Sequence, residues 1–250
     1  WLADRVGFRR TDHAERAAYD LALKQTRREL AAALRAEEAE RRRLAPDPAA
    51  LLKIVTAPSA RLWERRRADP DFLRVRLGAG TLPANTRASD AGAEPTVNDV
   101  PVTLDLGSIG VLGIAGPPAR IAALARALIG QLAGLHSPRD VSLVLLTETS
   151  RAGEWEWIRW LPHLSPIEPA NCQALVGLDP GTVGARVGEL CALVAARRQQ
   201  ATSDASRHRR TIVVVLDGAR ALRDTPGLTD VLAQGPDADV VAICLDTGES

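Results

Sequence analysis

The apolar positions of this chain keep three different rhythms. From residue 12 to about 44 there is no Gly or Pro, and Ala, Leu, Glu and Arg dominate, all good helix formers. Tyr19, Leu23, Thr26, Leu30, Ala33 and Glu37 fall at alternating spacings of four and three, which predicts one long helix with a narrow, coiled-coil-like seam. Asp12 is placed to cap its start. A shorter helix is expected after Pro48, with Leu51, Leu52 and Val55 on its apolar side, so that the two form a helical hairpin too thin to bury much surface alone. Pro58 ends it. The turn at Asp69-Pro70-Asp71 leads into FLRVRLG (72–78), whose alternation predicts a strand. Residues 79–99, rich in Gly, Ala, Thr, Asn, Asp and Pro, read as a loop or linker.

From about residue 100 short apolar runs alternate with helical patterns. Strands are expected at 100–106, 111–116, 141–147, 172–178, 211–218 and 239–246, and helices at 119–136, 154–161, 180–200 and 228–234. The helix at 180–200 would turn Val183, Val187, Leu190, Leu193 and Val194 inward. This order predicts an α/β fold, a mostly parallel sheet with helices on both faces. The expected organisation is a helical stalk over 1–58 and an α/β domain over 60–250.

Composition narrows the function. Hydrophobic residues make up 46% of the 250, enough for a real core. No apolar run approaches the roughly 18 residues a membrane-spanning helix needs, and no secretory signal pattern opens the chain. The absence of Met, even at position 1, leads us to expect a fragment or a processed chain. Cys172, Cys191 and Cys244 are odd in number and form no CxxC pair, which argues against zinc and for small buried thiols in a reducing compartment. The net charge of +1 is uneven: residues 1–77 hold 18 basic against 12 acidic side chains, leaving 14 against 19 for the remainder. The basic half could face anionic lipid or nucleic acid, or be a solvated helix surface. Trp1, Leu2 and Phe8 among Arg5, Arg9 and Arg10 fit either a membrane-proximal flank or a terminus packed on the stalk.

One motif is nearly present. Strand, AGPPAR, helix is where an α/β nucleotidase carries its phosphate loop, GxxxxGK[ST]. Gly116 opens it, but Pro117 and Pro118 follow, and proline has no N–H to offer a phosphate. The Lys and hydroxyl positions fall at Ala122 and Ala123, which can hold neither phosphate nor metal. Arg120 supplies the one nearby charge. Asp217, ending TIVVVLDG, stands where a magnesium-coordinating acid would, or satisfies loop amides. The position after it, where a water-activating carboxylate is usual, is Gly218. Trp155, Trp157 and Trp160, followed by His163, form an aromatic cluster suited to packing, to a neighbouring subunit or to stacking on single-stranded nucleic acid. His13, His136, His163 and His208 are too scattered for a metal constellation.

The segments RLWERRRADPDFLRVRLG (61–78), GVLGIAG (110–116), LARALIGQLAGLHSPRD (124–140) and WEWIRWLPH (155–163) resemble the membrane-proximal region of actinobacterial FtsK/SpoIIIE-domain proteins, including the EccC component of type VII secretion systems. The resemblance implies a stalk followed by a degenerate P-loop-ATPase-like domain without chemistry of its own, on the cytoplasmic face of the cell membrane. It implies membrane helices before Trp1 and true ATPase domains after Ser250. ATP and magnesium would then belong to those other domains, and no cofactor to this region. The implied partners are the chain's own membrane segments and downstream ATPase domains, further copies of itself and secretion-complex proteins. A DNA-translocating motor with a DNA-binding role, or a weak ATP-binding domain, are the alternatives.

Overall fold

A computed structural model describes residues 2–86, 94–166, 174–200 and 209–247, with side chains from residue 15 onward. Trp1, the side chains of Leu2, Arg5, Phe8, Arg9, Arg10 and His13, and Cys172 and His208 lie outside the described residues or side chains, so their expected roles are untouched.

Contacts divide the chain into two compact units, residues 1–46 with 78–102, and residues 47–77 with 103–250. In the first, helix α1 (Leu2–Leu44) is longer than the pattern predicts. It continues upstream of Asp12, so Asp12 does not cap it. Within the expected linker at 79–99, residues 79–83 and 96–99 belong to strands. Strand β1 (Arg74–Pro83) pairs with β2 (Thr96–Asp105) in a two-stranded ribbon. Small residues misled the composition argument: a Cβ added at Gly80 would meet Val102 Cγ2 at 3.3 Å, so close cross-strand approach is what they permit. Charged side chains of α1 supply hydrogen-bond partners to the ribbon's backbone. The Glu37 carboxylate accepts from the amides of Asn85 (2.8 Å) and Thr86 (3.2 Å), and Glu38 from that of Asn98 (3.0 Å). Arg42 donates to the carbonyls of Asp99 (2.8 Å) and Asn98 (2.9 Å). The Asn85 amide, aided by Thr86 and Arg41, holds Glu37 below the usual carboxylate range.

In the second unit, α2 (Pro48–Thr56), capped by Asp47, finds its apolar partner in α4 (Pro118–Leu135). Leu51 and Ile54 cluster with Leu135. The two helices come so close that a Cβ at Gly134 would lie 2.9 Å from Val55 Cγ1. After the short α3 (Leu106–Ile109), five strands make the expected parallel sheet: β3 (Val111–Gly116), β4 (Val141–Thr147), β5 (Val176–Gly177), β6 (Thr211–Asp217) and β7 (Val240–Thr247), in the order β3-β7-β6-β4-β5. β4 and β6 are buried along their whole length, as expected of central strands covered on both faces. One face packs on α4 and on the segment 149–164, around Leu128, Ile129, Leu132, Trp155 and Ile158. The other packs on α5 (Pro180–Gln199) and α7 (Leu228–Gln234), around Val183, Val187, Leu190, Val194 and Val231. The short α6 (Ala219–Leu222) follows β6. The helix expected at 154–161 is instead a run of 3-10 helix, Thr149–Trp160.

Candidate functional site

In a parallel sheet the C-terminal ends of the strands are where ligands bind. Here that edge carries Gly116, Thr247, Asp217, Thr147 and Gly177, from β3 across to β5. Gly116 and Asp217 therefore share the edge but do not adjoin. β7 runs between them, which separates their backbones by about 10 Å at ordinary strand spacing.

The 116–120 loop has few donors. Pro117 and Pro118 have no N–H, and the amides of Arg120 and Ile121 turn back onto the Pro117 carbonyl at 3.0 and 3.1 Å. Of residues 117–121 only Ala119 keeps an amide outside these bonds. Ala122 is buried, and Ala123 and Arg120 are exposed, so the loop presents a rigid rim with one guanidinium.

Asp217 is fully buried, and its carboxylate is engaged within the chain. Oδ2 accepts from Trp155 Nε1 at 2.6 Å and from the Thr147 hydroxyl at 3.3 Å, and Arg151 Nη2 stands 2.9 Å from Oδ1. Burying a carboxylate is costly unless it is paired and hydrogen-bonded: Oδ2 is hydrogen-bonded twice, whereas Oδ1 has the Arg151 ion pair and accepts no hydrogen bond. Gly218 follows with φ +87° and joins β6 to α6, its amide donating to Leu245 O at 3.0 Å. On β7, Asp246 accepts from the Arg220 amide at 2.7 Å. The sequence pointed to Asp217 and Trp155 separately but neither to their union nor to Arg151, Thr147 and Asp246. Parallel pairing places Thr147 opposite Asp217, and no periodicity in the sequence reports that register. Among the described residues, no three His, Cys, Asp or Glu side chains stand together as a metal site.

The other aromatic residues separate. Trp157 stacks on Trp155 with ring centroids 6.1 Å apart, whereas Trp160 is 83% exposed. His163 is buried and faces away from solvent, its Nε2–H donating to His136 O at 2.8 Å. His136 is the point where the sequence signatures meet. Its Nε2 accepts from the Leu73 amide, its Nδ1–H donates to Leu132 O, and Phe72 packs edge-on at 5.4 Å. Beside it the Trp63 indole donates to Ala133 O at 3.0 Å, and buried Arg65 pairs with Asp71 at 2.9 Å. Burial, with Arg65 nearby, pulls the His136 imidazole down to about 4, and burial lowers His163 too. The segments 61–78, 124–140 and 155–163 are thus one packing and hydrogen-bonding hub.

Comparison with known proteins gives the ancestry. The chain is 32% identical over 213 residues to the ESX-3 secretion system protein EccC3 of Mycobacterium tuberculosis, covering 74% of this chain and 15% of that protein. It is 38% identical over 144 residues to the ESX secretion system protein EccC of Thermomonospora curvata, covering 49% of this chain and 11% of that protein. The chain is a homologue of the EccC secretion proteins. It spans only about a tenth to a seventh of the length of these two relatives. Among solved structures, the cytoplasmic domain of the T. curvata type VII secretion ATPase EccC superposes with a TM-score of 0.53 at 18% identity, over 78% of this chain and 23% of that one. EssC (ATPases 2 and 3) of Geobacillus thermodenitrificans gives 0.52 at 14%, over 77% and 36%. At such identities the likeness speaks for the fold alone, the α/β fold of these ATPase domains. No protein-family model matches the chain. Among the described residues no helix is long and apolar enough to cross a membrane.

Proposed function

We propose that this EccC-like chain is a coupling and interaction region of a membrane-anchored FtsK/SpoIIIE-type translocase of type VII secretion, without nucleotide chemistry of its own. The observation that carries the reading is Asp217. The acid that would hold magnesium is buried, ion-paired with Arg151 and hydrogen-bonded by Trp155 and Thr147, while the loop two strands away offers a phosphate few amides. Phosphoryl transfer needs a metal and a cradle of donors to stabilise charge, and both positions are otherwise engaged. The partners proposed are ATPase domains and membrane segments of the full-length protein, further copies of it and secretion-complex proteins, at the cytoplasmic face of the membrane.

Calorimetry with ATP and magnesium tests the reading. No saturable heat is expected at micromolar concentrations. Tight binding, or turnover that vanishes in Asp217→Ala, would overturn it. One observation favours the weak ATP-binding alternative: a side chain at Gly218 would meet the Glu148 carboxylate at 3.9 Å, so a second acid does stand near the place that Gly218 leaves bare. If turnover is found and Glu148→Gln abolishes it, that alternative is correct.

A further inference from the structure

Twelve consecutive residues, Thr149–Trp160, are 3-10 helix. Runs beyond three or four residues are uncommon, because the bonds are poorly aligned and side chains three apart eclipse. This run has a second cost. The indole nitrogen of partly buried Trp157 is sequestered without a hydrogen-bond partner, and it forfeits its bond to water with nothing in exchange. Trp155 and Ile158 anchor the segment in the core, but apolar burial is non-directional. Its orientation is fixed by one carboxylate on another element. Asp217 takes Arg151 from the segment's first turn and Trp155 from its middle. Among the described residues the other charged tie, Arg126 to Glu154, is 3.9 Å long between half-exposed side chains and contributes little.

The same segment walls two cavities. One, about 560 Å3, lies against Thr147, Glu148, Thr149 and Ser150. The other, about 410 Å3, lies between Trp155, Ile158 and Trp160 on one side and Ala174, Val176 and Leu178 on the other. From this we infer that segment 149–160 is a latch seated on Asp217. Seated, it covers the acid. Lifted, it bares Trp155 and Ile158 beside the exposed Trp160. Withdrawing or competing for the Asp217 charge releases it, so Asp217 works as a mechanical anchor between the C-terminal edge of the sheet and the groove at β5.

Hydrogen exchange read by mass spectrometry on the 250-residue chain tests this. Amides of 149–160 should exchange at least about tenfold faster in Arg151→Met, which loses the ion pair to a buried carboxylate, and in Asp217→Asn, which loses the charge that both Arg151 and Trp155 meet, while 141–146 and 211–216 stay as in the parent. Unchanged exchange in 149–160, or an equal rise throughout the sheet, overturns the latch. If Asp217→Asn fails to fold, Arg151→Met carries the test, since Arg151 sits at the rim with its side chain 20% exposed. Arg151→Lys keeps the cation and should exchange more slowly than Arg151→Met. Equal rates would remove the charge from the explanation. The latch does not depend on the absence of nucleotide binding, so exchange and calorimetry can each fail without the other.

Discussion

Replacing Trp155 by Phe keeps a ring in the core and removes the N–H that Asp217 uses. The residue is 4% exposed, and its indole donates at 2.6 Å to a carboxylate with no exposure at all. A hydrogen bond to a charged group is worth about 1.5–3 kcal/mol, and loss of one partner also leaves a buried acceptor less well satisfied. Arg151 and Thr147 remain, so the cost should stay near about 2 kcal/mol. In Trp155→Ala the ring goes as well, and the cost rises to about 3–5 kcal/mol. Trp160 is the internal control: at 83% exposure its Ala variant should lie within about 0.5 kcal/mol of the parent. Guanidinium unfolding followed by far-ultraviolet circular dichroism measures all three without relying on tryptophan emission. A Trp155→Phe variant as stable as the parent would refute the energetic role given to the Asp217 contact. A Trp160→Ala variant as damaged as Trp155→Ala would refute the assignment of which indole is buried.

Other outcomes follow from the hub and from α2. His136 is neutral when folded, and its folded pKa of about 4 lies below the ordinary 6.5, so between those values the unfolded chain binds more protons. Its contribution is therefore complete above pH 6.5 and lost as the pH falls toward 4, on the order of 3 kcal/mol in all. Protonation would set a second N–H against the Leu73 amide, and denaturation at pH 7.5 and 4.5 should show a smaller difference in His136→Asn than in the parent. Leu51→Ala should cost about 2–3 kcal/mol and shift a single cooperative transition of the α/β unit. A separate early melt, with the sheet unmoved, would show that α2 is not part of its core.

The central strands were legible because β4 and β6 are buried on both faces, and burial on both faces leaves continuous apolar runs such as VSLVLLT and TIVVVLD. α5 was legible from its spacing, reinforced by Pro180 at its start. The ribbon was legible only in part: strands were expected at 72–78 and 100–106, but their inner ends, around Gly80, carry the residues that a composition argument assigns to loops. The 3-10 run was read as an α-helix because the two share apolar spacings near three and differ in backbone bonds that no side-chain pattern reports. At the site, residue types showed what was missing from the loop, since Pro117, Pro118 and Ala122 cannot do what amides and a lysine do. They could not show what holds Asp217, because that depends on the β4–β6 register and on how segment 149–160 lies across it.

A carboxylate at the end of β6 can serve two opposed ends. To hold a hydrated metal it must be left short of protein partners, and a buried acid in that state destabilises the fold until the metal arrives. To tie two elements together it must be held by protein partners, and it is then unavailable to a metal without being torn from its neighbours. Arg151, Trp155 and Thr147 put Asp217 in the second condition. The loop agrees, because Pro117 and Pro118 fix backbone that a phosphate cradle would need to offer as donors. Changes at Asp217 should therefore appear first as altered stability and local opening. In a working nucleotidase the same changes would appear first as lost turnover with the fold intact.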